Sequence, residues 1–297
     1  TAENPAEALR LMSGITLQDT QTANSLVGSM TLVETDNLSN KVFAYMQNEE
    51  HVADIVAGVG LIATEENGKV NIGVGGTVTQ LRLLTTLEID VSDRDSVSES
   101  AEILPLITGS GNINFSSTGN DVEGKADVLL QNANSDYTGT TTVKDGVWVQ
   151  ANNGGALGKT SMLNIGADEN DTARVTLNSS GSQLFEQTIG GVSVERSATL
   201  ELSPGENRMN LSIDGNLANG ATSSLKGKLI GASGASLRLD NGALLQVDQD
   251  TDLSGFDGLF YIGNGTLAYD VAEGLEGTFD SRVSGAGFVE KTGAGTL

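Results

Sequence analysis

Tyr137-Thr-Gly139-Thr-Thr-Thr-Val143-Lys-Asp-Gly146-Val-Trp148 returns, at each of its marked positions, as Phe256-Asp-Gly258-Leu-Phe-Tyr-Ile262-Gly-Asn-Gly265-Thr-Leu267. Both stretches obey aromatic-x-Gly-x-x-x-(Val/Ile)-x-x-Gly-x-(Trp/Leu). A multi-residue unit that recurs within one chain signals a solenoid, in which each repeat buries its apolar face against the next. A second unit, Ile107-Thr-Gly109-Ser-Gly111, recurs as Val283-Ser-Gly285-Ala-Gly287, and its glycines mark bends. Short alternating runs lie between such bends, among them Arg174 to Leu177, Thr199 to Leu202, Ala235 to Leu239 and Ala243 to Val247. They read as strands.

Strands that come roughly every 8 to 12 residues also fit a β-sandwich or an antiparallel barrel. The turn pairs Asn67-Gly68, Asn219-Gly220, Asn241-Gly242, Asp145-Gly146, Asp214-Gly215 and Asp257-Gly258 are compatible with hairpins in such a fold. The solenoid is preferred because the same unit returns, and because aromatics make up only 4% of the chain, too few for a dense two-sheet core. The predicted fold is therefore all-β, a right-handed parallel β-helix with Gly and Asn in left-handed conformations at its corners. Coils of roughly 20 to 25 residues, stacked at ~4.8 Å, would make a rod on the order of 60 Å long.

Composition agrees with a thin, layered core and frequent turns: 38 of the 297 residues are Gly, only 3 are Pro, and 38% are hydrophobic. The net charge of −23, with 16 basic residues against 39 acidic ones, leaves no basic stripe for a phosphate backbone. Nucleic acid is excluded as a partner, and electrostatic docking on anionic lipid is disfavoured. There is no cysteine, hence neither a disulfide framework nor a thiolate metal site.

The chain divides into residues 1–103, an irregular or divergent set of coils, and residues 104–297, the regular β-helix. In the first part, Leu38, Val42, Met46, Val52, Ile55 and Val56 partly follow helical spacing up to a capping Gly58. A short helix or a strand is expected there. Residues 92 to 102 are polar and acidic and read as an exposed loop.

The order Asn132-Ala-Asn-Ser-Asp-Tyr137-Thr-Gly139-Thr-Thr-Thr-Val143-Lys-Asp-Gly146, then Gly155-Ala-Leu-Gly158, then Leu163-Asn-Ile-Gly166, resembles the strand repeat of bacterial autotransporter passengers of the adhesin type. The closing run from Val283 through Lys291 and Gly293 to Leu297 resembles the motif that precedes another such repeat, so the natural chain is expected to continue. The resemblance implies a protein at the bacterial surface or released from it. Secretion would go through a C-terminal membrane barrel outside this chain. Passengers of this kind include adhesins, self-associating factors, proteases and esterases, and the fold does not choose among them. The acidic ladders of Ser, Thr, Asn and Asp that such a rod would offer point to adhesion, self-association and biofilm formation, with a copy of itself on neighbouring cells or a host matrix protein or glycan as partner.

No catalytic set is legible. The sole histidine, His51, removes any multi-histidine metal centre, and no Gly-x-Ser-x-Gly elbow is present. His51 reads as an ordinary polar residue, and no cofactor is expected. Asp248, Asp250 and Asp252 form the only metal candidate. They begin like a calcium loop, but Leu253 stands where that loop needs Gly and Leu259 where it needs Glu. At alternate positions they would share one strand face, where a cation or a glycan-cleaving reaction could use them. The alternative to an adhesin is accordingly a glycan-cleaving β-helix, or a stalk for a catalytic domain elsewhere. Tyr137, Phe256 and Trp148 are all expected in packing positions, with Trp148 in the core because it aligns with Leu267.

Overall fold

The computed structural model describes residues 15–16, 29–35, 41–47, 50–57, 63–66, 69–72, 78–91, 101–103, 105–117, 126–179, 184–206, 208–218 and 220–297. The described residues are all β, and their parallel sheets stack as a solenoid of about 7 turns. One sheet runs through Ala101–Ile103, Val128–Leu130, Trp148–Ala151, Arg174–Asn178, Thr199–Ser203, Lys228–Gly231 and Asp252–Phe256, each hydrogen-bonded in parallel to the next. We call this the first face. The second face has nine strands, from Thr86–Asp90 and Asn112–Ser116 through Thr141–Val143, Leu163–Ile165, Val192–Val194, Ser223–Leu225, Leu244–Asp248 and Thr266–Asp270 to Phe288–Thr292.

The third face is interrupted. It opens with Val78–Leu83 beside Leu106–Gly109 and resumes with Phe185–Ile189, Met209–Asp214, Ala235–Asp240, Leu259–Ile262 and Arg282–Gly285. Between these two groups, residues 131–140 and 152–160 cover the face without strands. Val78–Leu83 is the switch of the fold. It takes a parallel partner on one side and the antiparallel Glu50–Ala57 on the other, from which Lys41–Gln47 and Ser29–Thr35 continue an antiparallel sheet.

That sheet corrects the possible helix. Lys41–Gln47 and Glu50–Ala57 are antiparallel strands in register Val42↔Val56 and Phe43↔Ile55. The β-branched and aromatic residues here favour a pleated surface, and the tertiary partner in Val78–Leu83 prevails over a helical spacing that was never complete. Leu38 and Gly58 lie outside the described residues, as do 92–100, whereas Ala101 and Glu102 of the expected loop belong to a strand. The expected length is also revised. Nine rungs at ~4.8 Å span about 40 Å, because register partners on successive coils lie 21 (Val128↔Val149) to 31 (Ser193↔Ser224) residues apart and the chain's start is spent on the antiparallel sheet.

Alternation drives the packing. In Met209–Asp214 and Ala235–Asp240 every second residue is buried, and the inward columns of Leu, Val and Ile stack from coil to coil into one continuous core. Aromatics enter it in three places: Phe115 and Tyr137 near the start, Phe185 where the third face resumes, and Phe256, Phe260, Tyr269 and the half-buried Phe279 near the end, where ring centroids lie 5.0 to 5.6 Å apart.

The corners carry the glycines, as expected. Asp145 and Gly146 are both left-handed (φ 59° and 75°), as are Asn241 and Gly242 (φ 52° and 75°). These pairs turn the chain from one face to another and not back on itself, so a hairpin signature serves here as a solenoid corner. At Gly109 and Gly285, φ is 95° and 120°, and a Cβ would overlap the carbonyl of the coil beneath. The Ile-x-Gly-x-Gly and Val-x-Gly-x-Gly units are thus the same bend in different coils.

The two aromatic-x-Gly units are not. Tyr137 leads into a strand of the second face, and Phe256 into one of the third. The unit encodes any corner plus the strand after it.

One carboxylate ties neighbouring corners together. Asp171 accepts hydrogen bonds from the N–H groups of Asp145 (2.8 Å), Gly146 (3.0 Å), Ala167 (2.8 Å) and Ala173 (3.0 Å). Partial burial opposes its charge, but the four N–H groups outweigh that and hold the carboxyl below the usual carboxylate range. A depressed pKa in the folded state means that this stabilisation is present above the unfolded value near 4 and is lost as pH falls through the folded value. Asp171→Asn is expected to lower stability at pH 7 by roughly 1 to 2 kcal/mol and to flatten the acid limb of a denaturation-versus-pH curve. Equal slopes in both proteins would contradict the assignment.

Candidate functional surface

On Trp148–Ala151 the inward phase is held by Val149 and Ala151, with Val147 just before them; all three are fully buried. Trp148 therefore points outward, a correction to its expected place in the core. Its alignment with Leu267 fails because Leu267 lies on a different face and in the opposite phase. The indole is fixed on two sides. The Arg174 guanidinium lies over its ring at 4.1 Å, and its Nε1–H donates to Thr176 Oγ1 at 2.9 Å. Thr176 donates in turn to Glu201 Oε2 at 3.0 Å, and Arg174 pairs with the same carboxylate, which closes the charge.

Gln150 and Asn152 continue outward from Trp148 along the same stretch of chain. Gln150 Nε2 donates to Asn152 Oδ1 (2.7 Å), and Asn152 Nδ2 donates to Gln131 Oε1 on the preceding coil (3.2 Å). Asn178 on the following coil donates to Asn152 Oδ1 at 3.3 Å. This amide ladder borders a cleft of about 290 Å³ lined by Asn152, Asn153, Ser179, Leu184 and Glu186, at the point where the third face is interrupted.

The second face presents a different row. Asn114, Thr142, Asn164, Ser193, Ser224 and Gln246 stand in register on six successive rungs, all pointing outward and none charged. Asn164 Nδ2 donates to Thr142 Oγ1 at 3.4 Å, and Asn114 Nδ2 to Glu88 Oε1 at 2.7 Å.

The three aspartates do not share a strand face. Asp248 ends a strand of the second face, Asp250 lies in the turn and Asp252 begins a strand of the first face. Each meets a cation: Asp250 Oδ2 lies 3.1 Å and Asp248 Oδ2 3.7 Å from Arg196, and Asp252 Oδ2 lies 3.2 Å from Lys228. The Ser254 hydroxyl and N–H and then Lys228 hold the Asp252 carboxyl below its ordinary range. Repulsion among three carboxylates is relieved here by bending the chain and by neighbouring basic residues. Among the described residues no three His, Cys, Asp or Glu side chains gather as metal ligands.

His51 lies in Glu50–Ala57, and its Nε2 is 2.7 Å from Asp54 Oδ1. Asp54 is buried and also accepts from Arg82 Nε at 3.0 Å. Asp54 and Arg82 are register partners, so the cluster fastens the antiparallel sheet to the switch strand.

The fold defines a class, the parallel β-solenoids. Comparison with family models, with curated proteins and with solved structures returns no match to this chain. Sequence reasoning missed the outward indole and the amide ladder. The signal was available in the phase of Val147, Val149 and Ala151, which leaves Trp148, Gln150 and Asn152 on the other side of the strand.

Proposed function

We propose that this chain is a surface-displayed or released solenoid of the bacterial autotransporter passenger kind, acting as an adhesin that holds cells to one another or to host matrix. The observation that carries this reading is the uncharged row from Asn114 to Gln246 on the second face. Six rungs at ~4.8 Å offer amide and hydroxyl groups at a regular spacing, so many weak hydrogen bonds add by multivalency without an anchoring pocket. The order of the corner motifs supports the passenger assignment.

The test is clumping of cells or beads that display the chain. Thr142→Asp, Asn164→Asp and Ser193→Asp together put three like charges in the row and are expected to abolish it, with the fold checked by circular dichroism. Salt supplies a sign test. Since each copy carries −23, screening is expected to strengthen clumping as ionic strength rises from about 0.01 to 0.15 M, where the Debye length shrinks from about 30 to 8 Å. Clumping that weakens with salt, or that survives the triple variant, would contradict the proposal.

A further inference from the structure

We infer that the outer surface of the first face around Trp148 is a binding site for a neutral oligosaccharide, with the indole as its stacking platform and the amide ladder as its hydrogen-bonding strip. The inference rests on the adhesin reading for its biological setting and on different residues for its chemistry. Arg174 covers one face of the indole, so what the ring leaves to solvent belongs to its other face and rim. A ring fixed by stacking and by its N–H bond to Thr176 is already ordered, so little side-chain entropy is lost when a flat apolar ligand face settles on it.

Gln150 and Asn152 follow at alternate positions, each about 6 to 7 Å further along the strand, so the platform and the strip together span about 13 Å. That is long enough for two or three sugar rings in a line. Both amides are only half-buried. Gln150 spends one Nε2 hydrogen on Asn152 and keeps the other and its Oε1. Asn152, whose Oδ1 already accepts from Gln150 and Asn178 and whose Nδ2 donates to Gln131, keeps one hydrogen for a ligand hydroxyl. The cleft at Asn152, Asn153 and Ser179 continues the strip around the corner.

Charge selects the ligand class. Arg174 and Glu201 neutralise each other at the platform, and the chain as a whole carries −23. An acidic polysaccharide is therefore opposed at long range and finds no free cation in this cluster. An uncharged chain of hydroxyl-bearing rings meets neither obstacle.

Trp148 is the single tryptophan of the chain, so its fluorescence reports the site directly. The purified protein is titrated with neutral gluco-, manno- and galacto-oligosaccharides of two to six units, and with oligogalacturonate as the acidic probe. At least one neutral series is expected to give a saturable fluorescence change. Calorimetry with that sugar is expected to show affinity at least 10-fold weaker in Trp148→Ala and in Gln150→Ala. Gln150→Ala removes a surface amide and leaves the indole in place, so it separates lost binding from lost folding.

The inference is overturned if no neutral sugar binds, if both variants bind like the parent, or if oligogalacturonate binds more tightly. It is also overturned if the fluorescence changes with protein concentration alone, which would make this face a contact between copies. Cells that clump while no sugar binds would sink this inference and leave the adhesin reading standing. Sugar binding by a chain that neither clumps cells nor attaches them to a surface would do the reverse.

Discussion

Gln187→Leu is expected to cost on the order of 4 kcal/mol of folding stability, although the two side chains are of similar size and the position is buried in a strand. Gln187 points inward from Phe185–Ile189, where the third face resumes after its interruption. Its Oε1 accepts from the N–H groups of Gly155 and Leu157, both at 3.1 Å, and its Nε2 donates to the carbonyls of Gly158 (2.8 Å) and Thr188 (3.1 Å). One side chain thus takes the place of the ladder that residues 152–160 lack. Leucine would leave two N–H groups and a carbonyl of that loop without partners away from water, and each such group costs about 1 to 3 kcal/mol. Urea denaturation followed by circular dichroism measures the effect. Thr188→Ala, an exposed neighbour, is expected to change stability by less than about 0.5 kcal/mol. A loss below about 1 kcal/mol for Gln187→Leu would show that the loop finds other partners.

Tyr137→Ala is expected to be comparably damaging, at about 3 to 5 kcal/mol, because it empties the centre of the same strandless stretch. The ring is fully buried, and Gly158 is left-handed (φ 57°) directly against it, where a Cβ would meet the ring at 2.6 Å. Its hydroxyl lies 2.7 Å from Thr141 Oγ1, which donates to Thr160 Oγ1 at 3.1 Å, and Thr160 donates to the carbonyl of Gly139 at 2.7 Å. Tyr137→Phe keeps the volume, leaves that chain with its terminal acceptor intact, and is expected to cost only about 1 kcal/mol. The same pair of variants tests the electrostatics. Burial pushes the Tyr137 hydroxyl well above its ordinary range, so its stabilising effect is complete below the unfolded value near 10 and is lost as pH rises above it. Alkaline unfolding is expected to set in later, from pH 10 upward, for the phenylalanine variant than for the parent, as read by thermal melts across that range.

These two side chains mark the limit of what the sequence could reveal. The glycine bends at Gly109, Gly111, Gly285 and Gly287 were legible because only glycine tolerates a backbone that passes so close to the coil beneath it. The strands after them were legible from simple alternation. Gln187 was not, since nothing in Phe-Glu-Gln-Thr-Ile distinguishes an inward amide from a solvated one until the loop that needs it is known. Trp148 was misplaced because two similar units were aligned as though they occupied the same face. The phase of the neighbouring valines was the better guide. The aspartates from Asp248 to Asp252 were read as one strand because their spacing of two suits a pleat, whereas the corner between them follows from backbone partners on two different faces, Asp270 for Asp248 and Lys228 for Asp252.

One further property follows from the corner between Asp214 and Ser223. The third-face strand Met209–Asp214 and the second-face strand Ser223–Leu225 are joined by a longer connection than Ile189 and Val192, one coil earlier. Even so, Ser193 and Ser224 still stand side by side. Part of the surplus, Leu217 and Ala218, packs back against the stack beside Gly190, while Gly220 to Thr222 stand exposed, and the register of the faces is unchanged. A solenoid built this way is modular in length. Its corners can grow, shrink or accept a foreign peptide one at a time, and the exposed stretch from Gly220 to Thr222 is the natural place to graft one.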